Sequence, residues 1–231
     1  MSIIATATLV IALAALWSIR LAWHIPFERA AVLALAFMCA QLVLALGPVD
    51  GWLSPLLHDM TGVWNLEDLI GHLLYVYGLF SIMYLVADHC DMTPGQLRWF
   101  VRNRLELPSV VICAVMIAVF VAGDIGETCV PDVVATEHTP WLRVYWFVMI
   151  AALAYIIVST GRILLILRQH PRSRHAATAY LVALGITGAC CVVFIIGIPW
   201  LQWLLVRCEV VGYAVAASYS WRNKVAYFRG R

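Results

Sequence analysis

The sequence predicts an all-α polytopic integral membrane protein: a single seven-transmembrane-helix bundle with its N-terminus outside and its C-terminus cytoplasmic. Three observations predict it. The 231 residues are 64% hydrophobic and 12% charged, with a mean hydropathy of +0.90, well above the roughly 45–50% apolar content of a soluble domain. Apolar stretches recur at the length of about 20 residues that a helix needs to cross about 30 Å of hydrocarbon. Thirteen of the fifteen Lys and Arg residues then fall on one side of the map those stretches define.

In chain order the spans cover about 3–23, 30–46, 69–87, 107–123 and 141–167. Residues 176–220 are apolar for too long to be one span. The stretch "GIPW" (Gly197 to Trp200) divides them into spans of about 176–198 and 200–220, because proline removes an amide donor and resists helix continuation. Irregular backbone cannot face lipid, where its amides have no water to bond. The spans therefore pack as one domain over 1–221, and 222–231 form a short basic tail. The first segment lacks a basic leader and exceeds the roughly 7–15 apolar residues of a signal-peptide core, so it is expected to be retained.

Orientation follows from arginine. With the N-terminus outside, the inner side receives Arg20, Arg29, Arg162, Arg222, Lys224, Arg229 and Arg231, together with two loop clusters, Arg98, Arg102, Arg104 and Arg168, Arg172, Arg174. The outer side keeps Arg143, and Arg207 lies within a span. Positive residues collect on the cytoplasmic side of membrane proteins, which places the chain in the cytoplasmic (inner) membrane with its basic loops on anionic headgroups. Acids gather outside, among them Asp59, Glu67, Asp68, Asp124, Glu127, Asp132 and Glu137. On the inner side, Thr93 to Pro108 opens with a capping-box pattern, Thr93 and Gln96, with Pro94 at the first helical position. Leu97, Phe100, Val101 and Leu105 recur at helical spacing, which predicts a short amphipathic helix on the cytoplasmic surface.

A charge at a helix centre costs about 2.5–3.5 kcal/mol on insertion scales, so intramembrane charges usually face the bundle interior. On span three, Asp68, His72 and Tyr75 share one stripe beside Gly71 and Gly78. At about 1.5 Å per residue, His72 lies about 6 Å below Asp68, and Arg207 of span seven about 10 Å below Trp200. Asp124 closes span four on the same side and Arg143 opens span five. The expectation is an outward-facing polar chamber lined by Asp68, His72, Tyr75, Asp124, Arg143, Arg207 and Glu209. Two residues turn a helix by about 200°, so Arg207 and Glu209 point apart and at least one needs a partner on another helix. The same charges also suit an ion pair that pins helices together, or snorkelling toward headgroups.

Other chemistries lack their residues. Only Cys129 of seven cysteines lies in an outer loop, and no CxxC or Cys/His spacing suggests zinc. A retinal pigment needs a lysine in a span, and the only lysine is Lys224. Neither a haem-type histidine pair, a phosphate-cradling glycine loop, GxSxG nor HExxH occurs. The expectation is therefore no metal, no cofactor, no nucleic acid and no enzyme activity.

Three stretches carry a resemblance: "RLAWHIPFERAAVLALAF", "TGVWNLEDLIGHL" and "TGRILLILRQHPRSR". In their order the chain resembles actinobacterial seven-helix membrane proteins described as transporters, often encoded near helix-turn-helix regulators. The resemblance implies a cytoplasmic region after the last span. The sequence stops at Arg231, so a compact phage or prophage accessory version is the expectation. Sequence reasoning favours a sensor or interaction protein that couples the chamber to basic loops engaging a cytosolic protein, a membrane protein or a second copy of the chain. A small-molecule or ion transporter is the first alternative, although no inverted repeat is visible. A protein that acts by occupying the membrane or binding a membrane partner is the second.

Overall fold

The computed structural model describes residues 2–130, 133–134 and 139–229; Asp132, Glu137 and Arg231, named above, lie outside them. Every regular element among the described residues is helical. The α-helices are α1 (Ser2–Ser18), α2 (Arg29–Leu44), α3 (Gly47–Thr61), α4 (Leu66–Asp88), α5 (Pro94–Phe100), α6 (Leu107–Ala122), α7 (Pro140–Leu167), α8 (Arg174–Ile196) and α9 (Pro199–Arg229). Five helical stretches are long and apolar enough to cross a membrane: Pro26–Leu44, Leu66–Asp88, Pro94–Ala122, Pro140–Leu167 and Arg174–Ile196. The fold is thus all-α and fits a multi-pass membrane protein. Of the other two predicted spans, α1 is apolar but only 17 residues long, and the 31-residue α9 carries Arg207 and Glu209.

Packing closes a ring in the order α1, α2, α4, α7, α8, α9, with α6 outside it against α4 and α7. Lipid tails are as apolar as leucine, so helices associate through close packing rather than hydrophobic exclusion. The close approaches follow that rule. A Cβ on Gly212 of α9 would sit 3.2 Å from the Ala183 Cβ of α8, and one on Gly78 of α4 would sit 3.4 Å from the Ala34 carbonyl of α2. Gly78 therefore serves the α2 contact, while Gly71, 3.9 Å from Gln41 by the same measure, stands at the chamber edge.

The break between α8 and α9 falls where the sequence placed it, but glycine ends the helix. Gly197 adopts a left-handed φ of 80°, its N–H reaches the Phe194 carbonyl at 3.0 Å, and the Ile198 N–H reaches Val193 at 3.3 Å. That pair of bonds is a Schellman stop, and Pro199 opens the next helix where its missing N–H is harmless.

The segment after span two, for which the sequence predicts no element, forms α3, which starts with proline near its first position and ends at Gly62, φ 75°. Three expectations need correction. The first helix is α-helical only to Ser18, after which the chain tightens into a 3-10 turn over Arg20–His24. Helix α9 runs unbroken to Arg229, so residues 222–229 continue the last helix. The capping box at Thr93 forms, but it does not open a separate surface helix: α5 passes through one π-turn, Val101–Glu106, straight into α6. Pro108 cannot donate to the Arg104 carbonyl four residues back. The Tyr155 hydroxyl of α7 donates to that carbonyl instead, at 2.8 Å, so a wide turn accommodates the proline without breaking the helix.

Candidate solute chamber and buried carboxyl

The chamber end of the bundle gathers the C-terminal turns of α2 and α8 and the N-terminal turns of α4, α7 and α9. Between them lies a cavity of about 280 Å³. Its polar wall is formed by Gln41, Glu67, Asp68, His72, Tyr75, Gln202 and Arg207, and Trp146, Phe194 and Trp203 supply aromatic surface. Glu67 and Asp68 occupy the first turn of α4, where the helix dipole favours negative charge.

Of the seven residues expected to form the chamber, Asp68, His72, Tyr75 and Arg207 come together there. His72 shares a 2.9 Å hydrogen bond through Nδ1 with the Tyr145 hydroxyl, and its ring meets Trp146 edge-on. Arg207 is buried at 8% exposure; its Nη1 donates to the Trp203 carbonyl at 3.2 Å, and its guanidinium stacks 4.2 Å over the Trp203 ring. Asp124 and Arg143 do not line the cavity. Asp124 accepts from the Thr139 hydroxyl at 2.9 Å, and Thr139 caps α7 by accepting from the Leu142 N–H. Arg143 is exposed at the start of α7.

Glu209 lies beneath the chamber and is fully buried. Tyr75 donates to both of its oxygens, at 2.7 and 2.9 Å, Thr187 donates to Oε1 at 2.8 Å, and the Cys190 thiol approaches Oε2 at 3.7 Å. The Tyr213 hydroxyl continues the chain, 3.0 Å from Thr187. Among the described residues the ion pairs do not include Glu209. Its partners are neutral hydroxyls and a thiol, which satisfy its oxygens without cancelling its charge.

Sequence reasoning missed three chamber residues whose polar atoms are buried without a hydrogen-bond partner among the described residues: Gln41 Oε1, Glu67 Oε2 and Trp146 Nε1. Buried polar atoms are almost always satisfied, so three unpaired ones around a single cavity make it the candidate site. Glu67 was visible as an acid beside Asp68, but that it also turns inward depends on where α4 starts. Asn65 was missed as well. It sits fully buried with a left-handed φ of 57°. Its amide donates to the carbonyls of Ile125 and Thr128, at 2.7 and 2.9 Å, and its oxygen accepts from the Val130 N–H at 3.1 Å. It thereby staples the loop after α6 to the mouth of the chamber.

A second cavity, of about 520 Å³, opens at the opposite, basic end among α4, α7, α8 and α9. Its walls include Asp88, His89, Arg172, Tyr180, Asn223 and Lys224. Beside it, Lys224 pairs with the buried Glu28, and His89 lies 3.2 Å from Glu28 and 2.7 Å from Lys224. This triad ties the ends of α2, α4 and α9 together, whereas the sequence places Lys224 in the short basic tail. The arginines predicted to form a basic surface, Arg98, Arg102, Arg104, Arg168, Arg172 and Arg174, are all exposed, and Arg172 also borders the second cavity.

No protein-family model, curated protein or solved structure matches the chain.

Proposed function

We propose that the protein is a seven-span carrier of the cytoplasmic membrane, N-terminus outside, that takes a small polar solute into the chamber and passes it toward the basic end. One observation carries the reading: the unpaired Gln41 Oε1, Glu67 Oε2 and Trp146 Nε1 converge on a cavity that shares α4, α7, α8 and α9 with a second cavity at the other end. Gln41 Oε1 and Glu67 Oε2 are unpaired acceptors on one wall of the cavity, and tryptophan faces suit an organic cation. The solute class is accordingly a small organic ammonium compound. Crossing by α1 and α9 as well as the five long apolar helices completes the seven spans, and the thirteen-to-one arginine and lysine bias sets their direction.

The test is uptake of radiolabelled methylammonium into proteoliposomes of purified protein. Uptake above empty vesicles, lost in Glu67→Gln, supports the carrier. No uptake, together with a cytosolic protein retained on the basic end and lost when Arg98 and Arg102 are changed to Ala, replaces it with the sensing role that the exposed arginines suit.

A further inference from the structure

Glu209 stands between the two cavities on a string of hydroxyls. Tyr75 borders the chamber and touches the carboxyl; Thr187 and Tyr213 lead away from it. The Tyr180 ring lies tilted against Tyr213, centroids 6.4 Å apart, and Tyr180 borders the cavity at the basic end. We propose that Glu209 is the proton carrier of the protein, exchanging a proton with the chamber through Tyr75 and delivering it toward the opposite cavity through Thr187 and Tyr213. The inference rests on the carrier reading for its purpose, while its chemistry stands on these contacts.

The step balances. A proton from chamber water binds the Tyr75 oxygen as the Tyr75 hydroxyl proton moves to Glu209, turning carboxylate into carboxylic acid. Glu209 then gives its proton to the Thr187 oxygen as the Thr187 proton passes to Tyr213, and Tyr213 releases its own to water of the cavity that Tyr180 borders. Each hydroxyl gains one proton and loses one, so only Glu209 changes charge. Ionisable residues that face the interior of a membrane bundle mark ion pathways and proton relays. The ionisable groups around it are Tyr75 from α4, Cys190 and Cys191 from α8, and Tyr213 on its own helix. Of the other helices packed on α9, α1 has no ionisable side chain from Ser2 to Ser18, and α2 carries only Arg29 at its far end and Cys39.

The experiment is infrared difference spectroscopy of the protein in lipid vesicles as the pH is stepped from acid to alkaline. The expected result is a protonated-carboxyl band that comes and goes with pH, is lost in Glu209→Gln, and responds more slowly in Tyr75→Phe. Identical difference spectra for wild type and Glu209→Gln overturn the proposal. If Glu209→Gln elutes aggregated, Glu209→Asp replaces it, and an unshifted band is then the overturning result. Methylammonium uptake in the same vesicles separates the two readings: uptake without the band leaves the carrier and removes the relay, and the band without uptake does the reverse.

Discussion

Tyr75 and Glu209 meet across the interior of the bundle, on helices that are not close-packed neighbours. The bond therefore spans a gap that backbone packing leaves open. Removing the hydroxyl leaves a buried carboxyl short of a donor, which costs about 1–3 kcal/mol. Tyr75→Phe is expected to lower the melting temperature of the detergent-solubilised protein. In a double-mutant cycle with Glu209→Gln the two losses should fall short of additivity, as for directly contacting groups; strictly additive losses would show that the contact is absent.

Asn65 carries three hydrogen bonds and a positive φ, a conformation that asparagine tolerates far better than most residues. At about 0.5–1.5 kcal/mol per bond, Asn65→Ala should cost several kcal/mol and free the 124–130 loop. Limited proteolysis reads this directly: cleavage in the loop should accelerate in Asn65→Ala, and unchanged cleavage counts against the staple.

Lys224, half-buried, pairs with the buried Glu28, so removing the lysine leaves that carboxylate with His89 as its remaining partner among the described residues, at about 1–3 kcal/mol. Lys224→Met is expected to destabilise, and Lys224→Met with Glu28→Gln to recover much of the loss. Thermal melts of the single and double variants check the order; a double variant no better than Lys224→Met refutes it.

Sidedness can be read with thiols. Cys129 is exposed at the chamber end, whereas Cys90 at the basic end is half-buried, and burial together with the neighbouring Asp91 pushes its thiol above the ordinary range. Thiolate is the reactive form. A membrane-impermeant maleimide applied to intact cells should label Cys129 and spare Cys90, and Cys90 should still react sluggishly once the membrane is opened. Labelling of a Gln96→Cys variant from outside would reverse the proposed orientation.

The long apolar helices were legible because each depends on one continuous apolar stretch, and the Gly197–Pro199 break and Thr93 capping box were legible because each is a local backbone rule. The misreadings came from distant partners. Pro108 reads as a helix end until the Tyr155 hydroxyl is seen satisfying the carbonyl it abandons. Lys224 reads as a tail charge until Glu28 and His89, far away in sequence, close around it. In the chamber, Asp68, His72 and Tyr75 were found because helical spacing aligns them. Glu67 and Gln41 were not, since their roles depend on how α4 rotates against α2. Asp124 and Arg143 were assigned by depth alone, and depth does not say which way a side chain turns.

The two-residue link at Gly197 and Ile198 makes α8 and α9 a stiff lever. Thr187, Cys190, Glu209 and Tyr213 all ride on that lever, whereas Tyr75 belongs to the opposing wall. In the proposed carrier, a tilt of that hairpin would shear at the Tyr75–Glu209 contact while Thr187, Cys190 and Tyr213 travel with the acid, so loading of Glu209 and movement of the hairpin would be coupled there.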